Sequence, residues 1–333
     1  MRVVVTGAQG LLGRHLTAAL LDADAEAVLG LGRSPRADDR YTHDLEWLSG
    51  RVPAPLPDRL RPSAVDPRYA YERVDLRDAA TVAEIAGRFR PDAVLHAASA
   101  LRDDSWDDLI ASNLHGTAGL MRGFGTAPGP PRMVLTSTGS IYGAALGAVP
   151  FAEDGPAEPI ELYGASKRAA EDIARILAGE SGARLAIGRI FNLIGPGLQD
   201  RHLPGRLASR VAAIARGLAP PELALGPLDA TRDFVDVNDA ARAMMALATA
   251  PDPPPIANVA SGVETPAQRI LDVLLEQAGG PSVQLTRLEG RRADIPRAVA
   301  NVGRLRALGV VCDRPLEATL GEMLAYFGAF SSE

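Results

Sequence analysis

The chain of 333 residues has a single cysteine, Cys312, which excludes an intrachain disulfide framework. Aromatic residues are sparse, at 5% of the total. No apolar run approaches the roughly 18 residues that a membrane span requires. The five histidines, His15, His43, His96, His115 and His202, are scattered without metal-ligand spacing, so no metal site is expected. No run of basic residues occurs, and a net charge of −6 speaks against nucleic acid as a partner. Met1–Thr6 already reads as a strand rather than as the charged and apolar regions of a secretory leader. The expectation is a soluble cytoplasmic protein.

Lysine is almost missing as well. Of 35 basic residues one is lysine, Lys167, and the other 34 are arginine. The abundance of arginine suggests a bias that replaces lysine wherever arginine will serve. The surviving lysine is then a candidate for a position that needs a compact ammonium with an adjustable pKa, the alternative being chance.

What is present is a regular alternation of short apolar runs and amphipathic stretches. Strand patterns fall at Arg2–Thr6, Ala27–Leu31, Tyr71–Val74, Asp92–His96, Met133–Ser137 and Arg184–Ile190, and later at Arg232–Val237. Helical patterns fall at His15–Leu21, from Asp75-Leu76-Arg77-Asp78 onward, and at Trp106–Phe124, Tyr163–Leu177, Leu203–Arg216 and Asp239–Ala248. This order predicts an α/β fold, a Rossmann-type doubly wound parallel sheet with a smaller C-terminal α/β substrate lobe. The boundaries expected are 1–191 for the dinucleotide-binding domain, with returning elements around 230–262, and 192–229 plus 263–330 for the lobe. The stretch 35–70, rich in Pro, Arg and Asp, is too long for an ordinary connection. It reads as an insertion: a lid, an oligomer contact or a disordered segment, with Tyr41, Trp47 and Leu48 indicating that part of it packs.

Gly7, Gly10 and Gly13 follow the first strand and open the first helix. Glycine at this spacing permits the turn, the close approach of a pyrophosphate and tight helix–strand packing. The helix N-terminus then offers free N–H groups to phosphate. The turn Gly7, Gln9, Gly10, Leu11, Leu12 and Gly13 is thus the first wall of a dinucleotide site. Leu76 after the third strand, and Ala97, Ala98 and Ser99 after the fourth, line its far side. The second strand ends in Gly32-Arg33-Ser34, where an NAD site usually carries an acid for the ribose 2′-hydroxyl. Arg33, with Ser34 as a second donor, is read as a clamp for a 2′-phosphate, so NADP(H) is favoured over NAD(H); the alternative is a solvent-facing loop arginine. Asp75 is read as an acceptor for the adenine amino group, as a helix N-cap, or both.

Tyr163 and Lys167 are four residues apart on a predicted helix and share one face. A phenol has a pKa near 10, and a neighbouring ammonium makes it a usable acid–base group. A hydroxyl must also hold the substrate oxygen. Thr138, just past the Met133–Ser137 strand, is placed for it, ahead of Ser137 and Ser140.

Together these residues resemble the extended short-chain dehydrogenase/reductase family, whose members act mostly on nucleotide sugars. Thr6-Gly7-Ala8-Gln9-Gly10-Leu11-Leu12-Gly13 resembles its TGxxGxxG signature, and Tyr163-Gly164-Ala165-Ser166-Lys167 its YxxxK motif. Ser137-Thr138-Gly139-Ser140-Ile141-Tyr142-Gly143 is similar to its hydroxyl-bearing strand end. The resemblance makes Thr138, Tyr163 and Lys167 the catalytic residues and implies that Tyr163 and Lys167 also contact the cofactor. Asn113 sits where the family has a structural helix asparagine beside the cofactor. Arg189–Gly197 resembles the RxFNxxGPG segment, Arg232–Val237 the RDFxxV segment and Arg291–Asp294 the RxxD segment. These imply substrate contacts from Ser140, Asn192, Arg232 and Arg291, the arginines suiting a diphosphate.

Three chemistries share that scaffold. The 4,6-dehydratases carry an Asp-Glu pair after the threonine, and here Gly139-Ser140 follow it, which removes the acid and base of elimination. The 4-epimerases keep tightly bound NAD, usually with an acid at the end of the second strand. The resemblance is nearest to reductases of GDP-linked 4-keto-6-deoxyhexoses, implying hydride delivery to C4 with Tyr163 as proton donor. An NAD-dependent nucleotide-sugar 4-epimerase is the alternative, and a non-catalytic dinucleotide sensor is the alternative from another class. The resemblance also implies a homodimer.

Overall fold

The computed structural model describes residues 1–48, 50–144, 149–288 and 295–330. Its strands are β1 Arg2–Thr6, β2 Ala27–Gly32, β3 Arg40–Trp47, β4 Gly50–Pro55, β5 Tyr69–Arg73, β6 Ala93–His96, β7 Arg132–Thr138, β8 Leu185–Ile190, β9 Asn192–Ile194, β10 Glu222–Leu225, β11 Thr231–Asp236, β12 Ile256–Val259, β13 Glu264–Pro266, β14 Gln284–Arg287 and β15 Arg297–Ala298. The helices are α1 Leu11–Asp22, α2 Arg61–Val65, α3 Ala79–Phe89, α4 Trp106–Leu109, α5 Thr117–Gly125, α6 Leu162–Ser181, α7 Leu203–Ala215, α8 Val237–Thr249, α9 Ala267–Gln277, α10 Gly303–Ala307 and α11 Leu316–Gly328.

Seven strands form one parallel sheet in the order β12-β8-β7-β6-β1-β2-β5. The reason is visible in β1, where Val3, Val4 and Val5 are all fully buried. Strands covered on both faces need apolar side chains on both. Val3 and Val5 point into the core under α1 and α8, and Val4 into the core under α3, α5 and α6. The chain reverses its direction of travel through the sheet between β1 and β6, and ligands of such sheets bind at that switch point, outside the carboxyl ends of the strands.

Several boundaries differ from the sequence reading. The third strand is β5, Tyr69–Arg73, and starts two residues earlier than expected. Asp75 does not cap α3. That role belongs to Asp78, whose carboxylate accepts from the Ala80 and Thr81 N–H groups. Asp75 is held instead by Arg77. The helix expected over Trp106–Phe124 is interrupted by a π-helical stretch, Ile110–Gly116.

The 35–70 segment is ordered into a hairpin of β3 and β4 followed by α2. Along β3, Tyr41, Leu45 and Trp47 are buried at a period of two. They join a second core built from α7, α9 and α11. Trp47 stacks on Phe327 and meets Phe330 edge-on. Leu48 packs against the same core. The hairpin also touches the glycine turn: the Thr42 N–H donates to the Gln9 carbonyl. On its other side the Tyr41 hydroxyl donates to the Pro196 carbonyl, and His43 Nε2 lies 2.8 Å from the Gly197 carbonyl. Gly197 has φ +89°, and a Cβ there would stand 2.3 Å from the Tyr41 ring. Among the described residues no helix is long and apolar enough to cross a membrane.

Candidate active site

The glycine turn lies at the carboxyl end of β1. Gly7 takes φ +62°, and a Cβ on it would meet the Ala98 backbone at 2.8 Å. A Cβ on Gly13 would stand 2.1 Å from the Gly7 carbonyl oxygen. Helix α1 begins at Leu11, and its N-cap Gly10 has no side chain to cap it, which leaves its first N–H groups to the cleft. A cleft of about 220 Å³ opens here, bounded by Gly7, Gly10, Arg33, Ser34, Asp75 and Leu76, and by Ala97, Ala98 and Ser99. The uncapped helix end and glycine walls, which any side chain would fill, fit the diphosphate of a dinucleotide. Leu11 and Leu12 lie in the first turn of α1, packed against the lobe core and the sheet core respectively.

Two polar residues of this set are engaged within the protein. Gln9 Nε2 donates to the Pro35 carbonyl, and its Oε1 accepts from Ala37 N and Arg14 Nη2. Its side chain thus anchors the inserted segment, while its backbone stays in the turn. Asn113, in the π-helical stretch, accepts from Ser99 Oγ and Ala100 N, and donates to the Ala100 carbonyl and Ser166 Oγ. The amide has no capacity left for a cofactor; it fixes Ser99 and ties it to α6.

Arg33 is exposed and makes no ion pair among the described residues. Its carbonyl accepts from Arg73 Nε, and that of Ser34 from the Tyr71 hydroxyl. Arg77 beside Asp75 holds the Asp75 carboxyl below its usual range.

Thr138 ends β7 and is 9% exposed. Its Oγ1 accepts from the Ser140 N–H at 3.2 Å. Tyr163 is the second residue of α6, and Lys167 lies one turn further along. Burial pushes the Tyr163 phenol up, while hydrogen bonds with Thr138 and Ser99 and the charge of Arg102 oppose it. Burial brings the Lys167 ammonium down to about 8, against the pull of Glu171 one turn below it. The phenol is therefore protonated at neutral pH, and the lysine is poised close to it.

His96 underlies this cluster. The Thr117 hydroxyl donates to the Asn113 carbonyl at 2.6 Å, so it accepts from His96 Nε2–H at 3.1 Å. Nδ1 is then bare and accepts from the Thr6 hydroxyl at 2.7 Å, which in turn accepts from Ala98 N. Burial, with Lys167 adding to it, holds the ring at about 3.

On the substrate side, Asn192 Nδ2 donates to the Asp233 carbonyl across the β9–β11 pairing. Arg232 is half-buried, donates to the Thr231 carbonyl and has no carboxylate partner among the described residues. Burial lowers its pKa, and Arg102 adds to the effect. The structure thus places Thr138, Ser140, Tyr163 and Lys167 in one cluster beside the cleft, with Arg232 and Asn192 on the facing lobe. Arg291 lies outside the described residues. The sequence reading did not single out Arg102, Glu161, Tyr71, Arg77 or the buried pair Glu171–Arg189. Only Glu161 left a local mark: a glutamate at a helix start where Ser, Thr, Asp or Asn is preferred.

Comparison with known proteins supplies the family. The NAD dependent epimerase/dehydratase family matches residues 3–260. The dTDP-6-deoxy-L-talose 4-dehydrogenase (NAD(P)(+)) of Kitasatospora kifunensis is 30% identical over 284 residues, covering 84% of this chain and 80% of that protein. The GDP-6-deoxy-D-mannose reductase of Pseudomonas aeruginosa is 28% identical over 83% of this chain and 80% of that protein. The structure of RMD from Pseudomonas aeruginosa complexed with NADPH superposes with a TM-score of 0.79 at 25% identity, covering 98% of this chain and 99% of that one. Other structures of the same fold hold NAD. With the glycine cradle in place, the chain belongs to the NAD dependent epimerase/dehydratase family, as an extended short-chain dehydrogenase/reductase and an NAD(P)-dependent oxidoreductase of the nucleotide-sugar-modifying type.

Proposed function

We propose that the protein is an NADPH-dependent reductase of a nucleotide-linked 4-keto-6-deoxy sugar. The observation that carries this reading is the protonated Tyr163 phenol beside Thr138, with no carboxylate in the two residues after Thr138. A reductase needs a proton donor at the ketone oxygen, and elimination needs an acid and a base that are absent at those two positions. When bound, the nicotinamide supplies the hydride that reduces C4. Thr138 donates a hydrogen bond to the ketone oxygen and Tyr163 delivers its proton to it. Lys167 stabilises the resulting phenolate and binds the nicotinamide ribose. Arg232, Arg291 and Asn192 hold the diphosphate, whose charge matches the unpaired guanidinium of Arg232. Both curated relatives named above act on 6-deoxyhexoses.

The preference for NADP(H) rests on Arg33, exposed at the cleft with no direct ion pair among the described residues. Asp75 stands on the same side but is neutralised by Arg77, which leaves the rim positive enough for a 2′-phosphate. The dimer implied by the family would use α4 and α6, where Trp106 and Ile176 are exposed at 50% and 62%.

The test is titration of purified protein with NADPH and NADH, followed by assay of Tyr163→Phe. A preference for NADPH of about tenfold or more, roughly 1.4 kcal/mol, together with a turnover loss of about 100-fold or more in the variant, is expected. Protein that arrives carrying tight NAD points to the 4-epimerase reading instead. Tyr163→Phe at wild-type turnover overturns the assigned proton donor.

A further inference from the structure

Helix α6 carries Tyr163 and Lys167, yet it starts with a residue that breaks the usual capping chemistry. Its N-cap is Glu161, in extended backbone, and the side chain makes no cap hydrogen bond. Short side chains are preferred there because they reach back to the N–H groups of the first turn. The Glu161 carboxylate instead extends to Arg102, with Oε1 2.6 Å from Nη2. The contact is off-axis: Oε1 is buried and accepts no hydrogen bond among the described residues. Buried acceptors are rarely left so, and a local rule broken beside a catalytic pair marks a functional constraint.

Arg102 stands on a turn whose backbone is pinned. Asn113 holds Ala100, Asp104 accepts from the Leu101 N–H, and Arg201 of the facing lobe pairs with Asp104 at 3.1 Å. The Arg102 side chain itself is 55% exposed, and Nη2 lies 3.4 Å from Ser140 Oγ. The pair therefore spans the gap between the end of β7, with Thr138 and Ser140, and the start of α6, with Tyr163. A sugar ring whose C4 lies against Thr138 and Tyr163 presents its one adjacent hydroxyl, on C3, to this gap. Glutamate offers acceptors only and arginine donors only, the combination that a hydroxyl, both donor and acceptor, satisfies at once.

We propose that Arg102 and Glu161 form a specificity-determining pair that reads a ring hydroxyl next to the reacting carbon, Glu161 accepting its proton and Arg102 donating to its oxygen. This rests on the reductase reading above. Arg102 also bears on Tyr163, so a variant alters acidity as well as recognition. The readout is therefore the ratio of kcat/KM between two substrates on one variant, in which any change in Tyr163 cancels.

The experiment uses the full chain with NADP+ and whichever of GDP-6-deoxy-D-mannose and dTDP-6-deoxy-L-talose it oxidises, beside the 2-deoxy and 3-deoxy forms of that sugar nucleotide. Wild-type protein is expected to prefer the parent over the 3-deoxy form by roughly 10- to 100-fold, the worth of a hydrogen bond to a charged group, and a preference confined to the 2-deoxy comparison overturns the pair. Arg102→Met and Glu161→Ser are expected to bring that ratio near one while NADPH affinity stays unchanged. Glu161→Ser restores a good N-cap, so its melting temperature should hold or rise. That separates recognition from a structural role, because a mere helix staple would lose stability and keep the ratio. Variants that retain the wild-type ratio overturn the pair alone. Wild-type protein that binds NADPH but oxidises neither parent overturns the reductase reading, and the pair with it.

Discussion

Lys167 shows what a single residue can carry. Composition marked it as a candidate for a place arginine could not fill, and the structure buries it, with its pKa brought to about 8. Arginine would stay charged there at any accessible pH and could not fit a compact point charge. The buried histidines make a related prediction for stability. His15 and His96 sit at about 3 in the folded chain, against 6.5 in the unfolded one. Between those values the unfolded chain takes up protons that the folded chain refuses. Their contribution is therefore complete above pH 6.5 and is lost as pH falls toward 3. Burial lowers His43 and His202 as well, in the same direction. Urea unfolding from pH 7 to 5 should show stability falling with a slope that approaches about 1.4 kcal/mol per pH unit for each of His15 and His96. His96→Asn should flatten the slope by about that amount per unit. A level profile would contradict the buried neutral rings.

At the scale of elements, α6 is held by more than its apolar stripe. Ala170, Ala174 and Ala178 pack inward, but the same face carries Glu171, fully buried and paired with Arg189 through Nε at 3.0 Å and Nη2 at 2.9 Å. Arg189 continues to the Tyr142 hydroxyl and the Glu153 carbonyl. Glu171→Ala leaves a guanidinium in the interior and should cost about 3–5 kcal/mol by urea denaturation. Methionine at both positions should recover much of that loss, and a single variant of wild-type stability would show the pair to be idle. The sheet was legible because its strands, buried on both faces, read as continuous apolar runs, and most helices because their apolar residues repeat at 3.6. The glycine turn and Thr138 stood out as candidates because each sits at a strand end, and Tyr163 and Lys167 because a spacing of four puts them on one face of a helix. The β3–β4 hairpin was not recognised, although Tyr41, Leu45 and Trp47 keep the strand period, because its Pro, Arg and Asp content reads as loop. The Arg102–Glu161 contact joins positions 59 apart in the chain, and the π-helical stretch leaves the same periodicity as the helix around it; neither has a local signature.

For the whole molecule, the exposed side chains of Trp106 on α4 and Ile176 on α6 are the features on which the proposed dimer rests. Sedimentation equilibrium should give twice the 34.9 kDa of one chain, and Ile176→Glu should shift the mass toward one. A wild-type protein that sediments as a monomer at micromolar concentration would remove the dimer from the reading.

The hairpin has a wider consequence. It is inserted in the chain between β2 and β5, which pair directly with each other, yet its side chains complete the other core. The chain therefore crosses between the halves early as well as late. No cut after residue 191 could release a self-sufficient C-terminal fragment, since Tyr41, Leu45, Leu56 and Trp47 would leave with the other piece. Assembly of that core must wait for contacts some 280 residues apart, such as Trp47 with Phe327. Contacts of that span slow folding relative to a chain held by local contacts. The same splice limits how far the halves can swing apart, because the strand that rests on the glycine turn also grips the Pro196–Gly197 bend.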